Sequence, residues 1–187
     1  MKPFADLAAK GNCDVRIFEE EIKQRLSGLF LIKIGRTCNM LELTFGDYKS
    51  TINEVWHIQS PFRIVCDDRI ITSDRDVYIP GNDSDGTFSY CSSERNSVFD
   101  DAVRNNQQFT NGFAVTDVKL SVHGDAIIEM QHDRSVLKVE CFNNASSDED
   151  DENWRFFRHH SGMLHIVCYR ERIVRELYTY DKDGNIL

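Results

Sequence analysis

The chain has 187 residues, of which 41% are apolar and 11% are aromatic, with only three prolines and ten glycines. This composition is that of a globular protein with a sizeable core, and it excludes a disordered or fibrous chain. The formal net charge of −9 repels nucleic-acid phosphates and anionic lipids, so we expect neither a nucleic acid nor a membrane as partner. The same charge suits a basic protein partner, or it only keeps the protein soluble.

The six cysteines are widely and irregularly spaced, and no two of them form a C-x-x-C motif. In a chain of this length, that spacing does not indicate the disulfide framework of a small secreted domain. The N-terminal residues lack the apolar core of a signal peptide, and no run approaches the ~18 apolar residues of a membrane span. We therefore expect a cytoplasmic protein with reduced thiols.

Two segments have helical features. Between Asp14 and Gly28, apolar residues recur at steps of three or four and so share one face. Asp14 is a suitable cap for the start of this amphipathic helix, and Gly28 suits its end. A second, shorter helix is predicted from Ser97 to Gln107, where Ser97 and Asp100 resemble a starting cap.

Alternation of apolar and polar residues predicts strands in the segment that follows the first helix. The alternating apolar positions are Phe30, Ile32 and Ile34, then Leu41, Leu43 and Phe45. In the next segment, an extended chain would direct one set of side chains to the same side: Trp56, Ile58, Phe62, Ile64 and Cys66. Pro61 cannot donate to a ladder hydrogen bond, which indicates an edge position or a bulge. Asp67 and Asp68 then have the character of a turn.

A meander is predicted after the turn pair Asn111-Gly112. Its apolar positions are Val118, Leu120 and Val122, then Ala126, Ile128 and Met130, then Leu137, Val139 and Cys141, and a late strand contains Leu164, Ile166 and Cys168. The short connections favour antiparallel pairing. We predict an α+β fold that is β-rich, with mainly antiparallel meanders, an N-terminal amphipathic helix and a second short helix.

The predicted fold is a single domain over residues 1–187. An alternative description divides it into two diverged β-rich halves, at about 14–80 and 110–180, because each half contains a hairpin, a polar or acidic linker and a tryptophan strand. Trp56 and Trp154 occupy matched positions in these halves.

Motifs of catalytic chemistry do not occur in this sequence. It lacks the nucleophile elbow G-x-S-x-G and both common glycine-rich phosphate loops, so we expect neither an enzyme nor a cofactor. A zinc site would require His159, His160, His165 and Cys168 to converge. Adjacent histidines diverge in an extended chain, and His165 and Cys168 fall on opposite sides of a strand. No metal site is therefore predicted.

Two surface features remain as candidate binding sites. The first is a set of acidic loop residues that we expect to contact a basic partner, although a solvated loop is the ordinary alternative. The set comprises Asp148, Glu149, Asp150, Asp151, Glu152, Asp83 and Asp85. The second is a polar stripe formed by His57, Gln59 and Arg63, opposite the apolar side of the tryptophan segment. This stripe suits a small-molecule or catalytic site, or the wet face of a half-buried strand.

The stretch from Trp56 to Ile64, read as Trp-His-Ile-Gln-Ser-Pro-Phe-Arg-Ile, resembles a motif of small bacterial proteins. The usual form of that motif is Leu-His-x-Gln-Cys-Pro-Trp-Arg-Ile, so Ser60 and Phe62 replace the usual cysteine and tryptophan. The family then has a meander, an acidic segment and a Glu-x-Trp-Arg-Phe-like motif, which correspond here to residues 118–142 and 148–157. The likeness covers roughly half of the chain.

These bacterial proteins resemble immunity proteins, which are encoded beside polymorphic or contact-dependent toxins. The resemblance implies a protein that binds and neutralises a cognate toxin domain, often a basic nuclease, and it transfers no catalytic residue. The alternative hypothesis is a small-molecule-binding protein or an enzyme that uses the face of His57, Gln59 and Arg63.

Overall fold

The computed structural model describes residues 14–48, 53–82, 88–91, 95–143, 151–159, 164–170 and 172–178. Within these ranges the chain forms two α-helices and an antiparallel sheet of eleven strands, which confirms the predicted β-rich α+β class. The helices are α1 (Val15–Leu26) and α2 (Val98–Asn105). No helix in these ranges has both the length and the apolar character needed to cross a membrane.

The sheet is assembled in an order that differs from the chain order. The strands are β1 (Phe30–Thr37), β2 (Met40–Gly46), β3 (Asn53–Ile58), β4 (Phe62–Cys66), β5 (Arg69–Ser73), β6 (Ala114–Leu120), β7 (Ala126–His132), β8 (Ser135–Cys141), β9 (Glu152–Arg158), β10 (Leu164–Tyr169) and β11 (Ile173–Leu177). Their hydrogen-bonded order is β11-β10-β9-β3-β2-β1-β6-β7-β8-β4-β5, so that β11 and β5 form the two edges.

Both helices begin at the residues that the sequence predicted. The Asp14 side chain accepts a hydrogen bond from the backbone N–H of Arg16 at 3.1 Å, and Gly28 has a φ of +76° just beyond the end of α1. At α2, Ser97 and Asp100 each accept a hydrogen bond from the other's backbone N–H, which is a capping box. These ends depend on contacts within a few residues of the chain.

The predicted inward positions are confirmed for β2, β3, β4, β7 and β8, with one register error in β1. The buried residues at these positions include Leu41, Leu43, Phe45, Trp56, Ile58, Phe62, Ile64, Ala126, Ile128, Met130, Leu137, Val139 and Cys141. In β1 the pairing with β2 shifts between Leu31 and Lys33, so Leu31 is buried instead of Phe30 and Ile32. An irregularity of this kind exchanges the two sides of a strand. Val122 was also predicted to be inward, but it lies beyond the end of β6 and is 79% exposed.

The connection between β3 and β4 shows that the sheet is strongly curled. Five strands separate them in the sheet, so a flat sheet would hold them about 29 Å apart, at about 4.8 Å for each of six steps. The connection consists only of residues 59–61, and it spans at most about 15 Å. The Ser60 N–H donates to the Asn153 carbonyl of β9 at 3.1 Å, and the Pro61 carbonyl accepts from the Phe142 N–H after β8 at 2.9 Å, so β9 and β8 approach each other at this connection. Pro61 therefore lies in a corner outside the strands, where it has no ladder hydrogen bond to lose.

Helix α1 contacts strands that lie far apart in the sheet. Its Lys23 ammonium is 3.0 Å from Asp117 of β6, and its Glu21 carboxylate is 2.6 Å from Arg175 of edge strand β11. The face of α1 that carries Ile22 is fully buried in the core. The curled sheet therefore packs around this helix, which supplies part of the core.

The two tryptophans meet at the centre of this core. Trp56 of β3 and Trp154 of β9 are fully buried on neighbouring antiparallel strands, with ring centroids 5.2 Å apart. The Trp154 indole N–H donates to the Gly124 carbonyl at 2.7 Å, whereas the Trp56 indole N–H has no acceptor among the described residues. Strands from both parts of the chain thus share one sheet and one core.

Candidate functional site

Most of the predicted acidic set lies outside the described residues. Five members lie outside the described residues: Asp83, Asp85, Asp148, Glu149 and Asp150. Asp151 is exposed immediately before β9. Glu152 begins β9, and its two carboxylate oxygens accept from the Arg155 Nε at 3.1 and 3.2 Å. Glu152 is therefore one half of an ion pair within the strand, while Asp151 has the exposure expected of a contact residue.

The predicted polar stripe is divided between two parts of the sheet. His57 of β3 lies opposite Arg155 of β9, whereas Arg63 of β4 lies opposite Glu140 of β8 and forms an ion pair with it. Gln59 is exposed in the corner between the two strands. The cause is the strand order, because the chain leaves the sheet after β3 and re-enters it at β4, with five strands between them. The prediction of one shared face was wrong in this respect, and no observation favours a small-molecule or catalytic site there.

A different group of side chains comes together around His57. On the outer face of β3, β9 and β10, and just beyond the end of β11, four rings form a continuous series, the aromatic ladder: His57, Phe157, His165 and Tyr178. The His57 ring meets the edge of Phe157 at 4.9 Å between centroids. Phe157 stacks on His165 at 4.6 Å, and His165 stacks on Tyr178 at 4.5 Å.

The alternation of strand side chains explains why these residues face outward. In β9, Trp154 and Phe156 are buried in the core, so the intervening Arg155 and the following Phe157 point to the opposite side. In β10, Ile166 and Cys168 belong to the core in the same way.

His165 and Cys168 therefore lie on opposite faces of β10, as predicted. Cys168 packs in the core, with its Sγ 3.7 Å from the Gly124 carbonyl oxygen, and His165 stacks in the aromatic ladder on the other face. The described residues contain no group of three or more His, Cys, Asp or Glu side chains suited to a metal ion. His160, another member of the zinc hypothesis, lies outside the described residues.

The two histidines of the aromatic ladder are in environments that favour the neutral ring. His165 is only 1% exposed, and neither ring nitrogen has a hydrogen-bond partner among the described residues. Burial lowers the pKa of His165 to about 4 and also lowers the pKa of His57. Since desolvation penalises the charged imidazolium, both rings favour the neutral form; His57 is half-buried, whereas His165 is packed between Phe157 and Tyr178 and is not accessible.

Charged and hydroxyl groups surround the end of the aromatic ladder at Tyr178. The Arg155 guanidinium carbon lies 4.3 Å from the centre of the Tyr178 ring, which is a cation–π contact. The hydroxyls of Tyr178 and Tyr169 both donate to Glu176, the latter at 2.7 Å. Burial and this hydrogen bond raise the pKa of Tyr178 to about 12, so its hydroxyl stays protonated and remains a donor. His165 is buried inside this group, so the part of the ladder that a partner can reach consists of the half-buried rings of His57, Phe157 and Tyr178 with the charges of Arg155 and Glu176 beside them.

Sequence reasoning named His57 in the polar stripe and His165 in the zinc hypothesis, but it missed Phe157 and Tyr178 and did not bring the four rings together. Phe157, His165 and Tyr178 come from separate segments, and only the pairing of β3, β9, β10 and β11 brings them together. The signal in the sequence was limited to aromatic residues at outward positions of predicted strands.

Comparisons with known proteins add no functional assignment. No protein-family model matches the chain, and no curated protein or solved structure is significantly similar to it. The resemblance to immunity proteins therefore stays a prediction from short motifs, and a functional proposal must be supported by charge and by the geometry of the outer face.

Proposed function

We propose that this protein is an immunity-type protein of a polymorphic or contact-dependent toxin system. It binds a cognate basic toxin domain, such as a nuclease, and neutralises it in a stoichiometric complex. The observation that supports this proposal is the meeting of two features at β9. The acidic residues 148–152 lead directly into this strand, and the aromatic ladder occupies the outer face of the same strand.

The two features supply different parts of a binding free energy. Aromatic side chains near the centre of an interface account for much of its affinity, because they bury a large area with few rotatable bonds. Acidic residues that contact a basic partner accelerate the encounter and favour the correct orientation. A net charge of −9 also opposes binding to nucleic acid, so the protein competes with a nuclease substrate by covering its binding cleft.

The contribution of the acidic segment is testable with two variants of equal charge change. The first variant carries Asp148→Asn, Asp150→Asn and Asp151→Asn, and it leaves Glu152 unchanged because that residue pairs with Arg155. The control variant neutralises three exposed acidic residues elsewhere on the chain: Glu20→Gln, Asp68→Asn and Asp133→Asn. The first step is to search the genes directly upstream for a large secreted protein with a C-terminal toxin domain. Association with that domain is then measured by stopped flow at several salt concentrations.

We expect the first variant to associate more slowly and with a smaller salt dependence than the control, while both keep the fold. Equal slowing of the two variants would mean that only net charge matters, and would contradict docking through residues 148–152. Absence of a stoichiometric complex between the wild-type protein and the toxin domain would refute the proposed function as a whole.

The aromatic ladder is tested by Tyr178→Ala, with Leu177→Ala as its control. Both residues lie at the end of edge strand β11, but Leu177 is 63% exposed and is not part of the ladder. We expect Tyr178→Ala to speed dissociation of the toxin domain, since truncation of an interface anchor acts mainly on the dissociation rate. Equal dissociation rates for the two variants would place the interface on another face.

A further inference from the structure

Two cysteines that are distant in the sequence are neighbours at the protein surface. Cys38 occupies the turn between β1 and β2, and Cys91 lies in the segment that precedes α2. Both are free thiols and Cys91 is exposed. Their backbones meet at one point, because the carbonyls of Cys38 and of Tyr90, the residue before Cys91, accept from the same guanidinium nitrogen of Arg36. This proximity of two reduced cysteines has no role in the proposed toxin binding.

A buried arginine holds the two backbones together. Arg36 is only 4% exposed, and its Nη1 donates to the carbonyl of Cys38 at 2.9 Å and to the carbonyl of Tyr90. The remaining guanidinium nitrogens bind the carboxylate of Asp100, with Nε at 3.0 Å and Nη2 at 2.5 Å. Because Asp100 also belongs to the capping box of α2, the turn with Cys38 and the segment with Cys91 share one rigid anchor.

The backbone conformation of Cys38 also fixes its position. Cys38 has a φ of +51°, a left-handed conformation that glycine adopts at lower cost. The two-residue hairpin loop between Thr37 and Met40 favours this conformation, so the turn itself holds the Cys38 backbone in place. On the adjoining loop, the Tyr90 ring packs against Tyr78 with a centroid distance of 5.0 Å, which fixes the residue before Cys91.

We propose that Cys38 and Cys91 form a reversible disulfide when the protein meets a peroxide, so that this pair is a redox modification site. Cys91 is the more exposed thiol and reacts first. Its thiolate sulfur attacks one oxygen of hydrogen peroxide, the O–O bond breaks, and the departing hydroxide takes up a proton to become water. The sulfur of Cys38 then attacks the sulfenic sulfur of Cys91, the S–O bond breaks, and a second water leaves. The two thiols lose two electrons and two protons, and the peroxide is reduced to two waters.

The other described cysteines lack these conditions. Cys141 is buried in the core and hydrogen-bonded to the Ser60 hydroxyl at 3.0 Å, and burial raises its pKa to about 12. Cys168 is also fully buried, and burial raises its pKa further. Cys66 is half-buried, and burial and the nearby Asp67 carboxylate raise its pKa. Because the thiolate is the reactive species, peroxide should act on these residues slowly. Contact with Cys91 and burial raise the pKa of Cys38 as well, so Cys38 is the resolving thiol and the exposed Cys91 is the one that peroxide attacks.

The test uses the full-length protein in its reduced form. After brief treatment with hydrogen peroxide, free thiols are blocked by alkylation, and the protein is analysed by intact mass and by peptide mapping without reduction. We expect two fewer alkyl groups per chain than in the untreated protein and one cross-linked peptide that joins Cys38 to Cys91, both results disappearing when dithiothreitol is added before alkylation. Cys91→Ser and Cys38→Ser should abolish the cross-link, and the control Cys66→Ser should retain it.

Three results would overturn the proposal. They are unchanged alkylation of Cys38 and Cys91 after peroxide, a cross-link that joins other cysteines, and oxidation of Cys91 beyond the sulfenic acid while Cys38 remains free. Thermal unfolding supplies an independent measurement, since a disulfide across this long loop restricts the unfolded chain. Peroxide should therefore raise the melting temperature of the wild-type protein and of Cys66→Ser, but not that of Cys91→Ser. Since Cys91 is exposed, its serine variant should fold even if Cys38→Ser does not.

Discussion

Replacing Trp154 by phenylalanine should destabilise the protein more than replacing Trp56 by phenylalanine. Both indoles are fully buried and in mutual contact, so the two substitutions remove the same atoms from the same part of the core. The difference lies in the indole N–H. That of Trp154 donates to the Gly124 carbonyl at 2.7 Å, and that of Trp56 has no acceptor among the described residues.

The difference in unfolding free energy follows from these two groups. Trp154→Phe removes a hydrogen bond worth about 1 kcal/mol and leaves the Gly124 carbonyl with only a long contact to the Cys168 thiol. Trp56→Phe removes a buried donor that was already unsatisfied, which offsets its packing loss by about 1 kcal/mol or more. The gap between the two variants should therefore be about 2–3 kcal/mol, with Trp154→Phe the less stable.

Urea unfolding followed by far-ultraviolet circular dichroism measures both variants on one scale. Equal unfolding free energies, or a less stable Trp56→Phe, would refute the assignment of different hydrogen-bonding states to the two indoles. Unfolding slopes close to that of the wild-type protein are needed for the comparison, since a changed slope signals a change in the unfolded or native ensemble.

Three further predictions concern buried polar and glycine positions, and each is read from the same unfolding assay. Glu54→Gln should lower the unfolding free energy by about 3 kcal/mol, because the buried carboxylate binds two arginine guanidiniums. Glu42→Gln should lower it by less than about 1 kcal/mol, since its lysine partner is half exposed. Similar losses of unfolding free energy for the two variants would contradict this ranking. His165 should make the wild-type protein less stable as the pH falls from 6.5 towards 4. Its pKa is about 4 in the folded state and about 6.5 in the unfolded chain, so the unfolded state binds more protons between these pH values. The unfolding free energy should fall there by up to about 1.4 kcal/mol per pH unit. His165→Phe should lose this component, and an unchanged pH dependence would show that the native ring is not held neutral. Gly124→Ala should destabilise the protein more than Gly28→Ala. Both glycines have a positive φ, but only at Gly124 would the new Cβ lie 2.6 Å from the buried sulfur of Cys168. Equal losses of stability would mean that the chain around Gly124 shifts to make room.

Several features of this protein follow from the sequence because they depend on short-range chemistry. The ends of α1 and α2 are set by Asp14, Ser97 and Asp100, each of which bonds to a backbone group within three positions. The inward sides of β2, β7 and β8 follow from a period of two, since successive side chains of a strand point to opposite faces. The opposite placement of His165 and Cys168 has the same cause.

Only the tertiary structure decides which segments become neighbours. The alternating pattern of β3 and β4 does not show that a corner at Pro61 puts five other strands between them, and this corner separates His57 from Arg63. The register shift in β1 likewise depends on its pairing with β2. A periodic pattern specifies the two sides of a strand but carries no information about the partner strand.

The contacts proposed to have functions are of this second kind. The aromatic ladder requires β3, β9, β10 and β11 to lie side by side, and the pairing of Cys38 with Cys91 requires Arg36 to reach two separate backbone segments. Residue type and spacing alone do not reveal such contacts, because they arise when long-range strand pairing and side-chain packing are satisfied together. The sequence therefore determined the local elements and their buried sides, and the three-dimensional pairing of those elements determined the surfaces that they build.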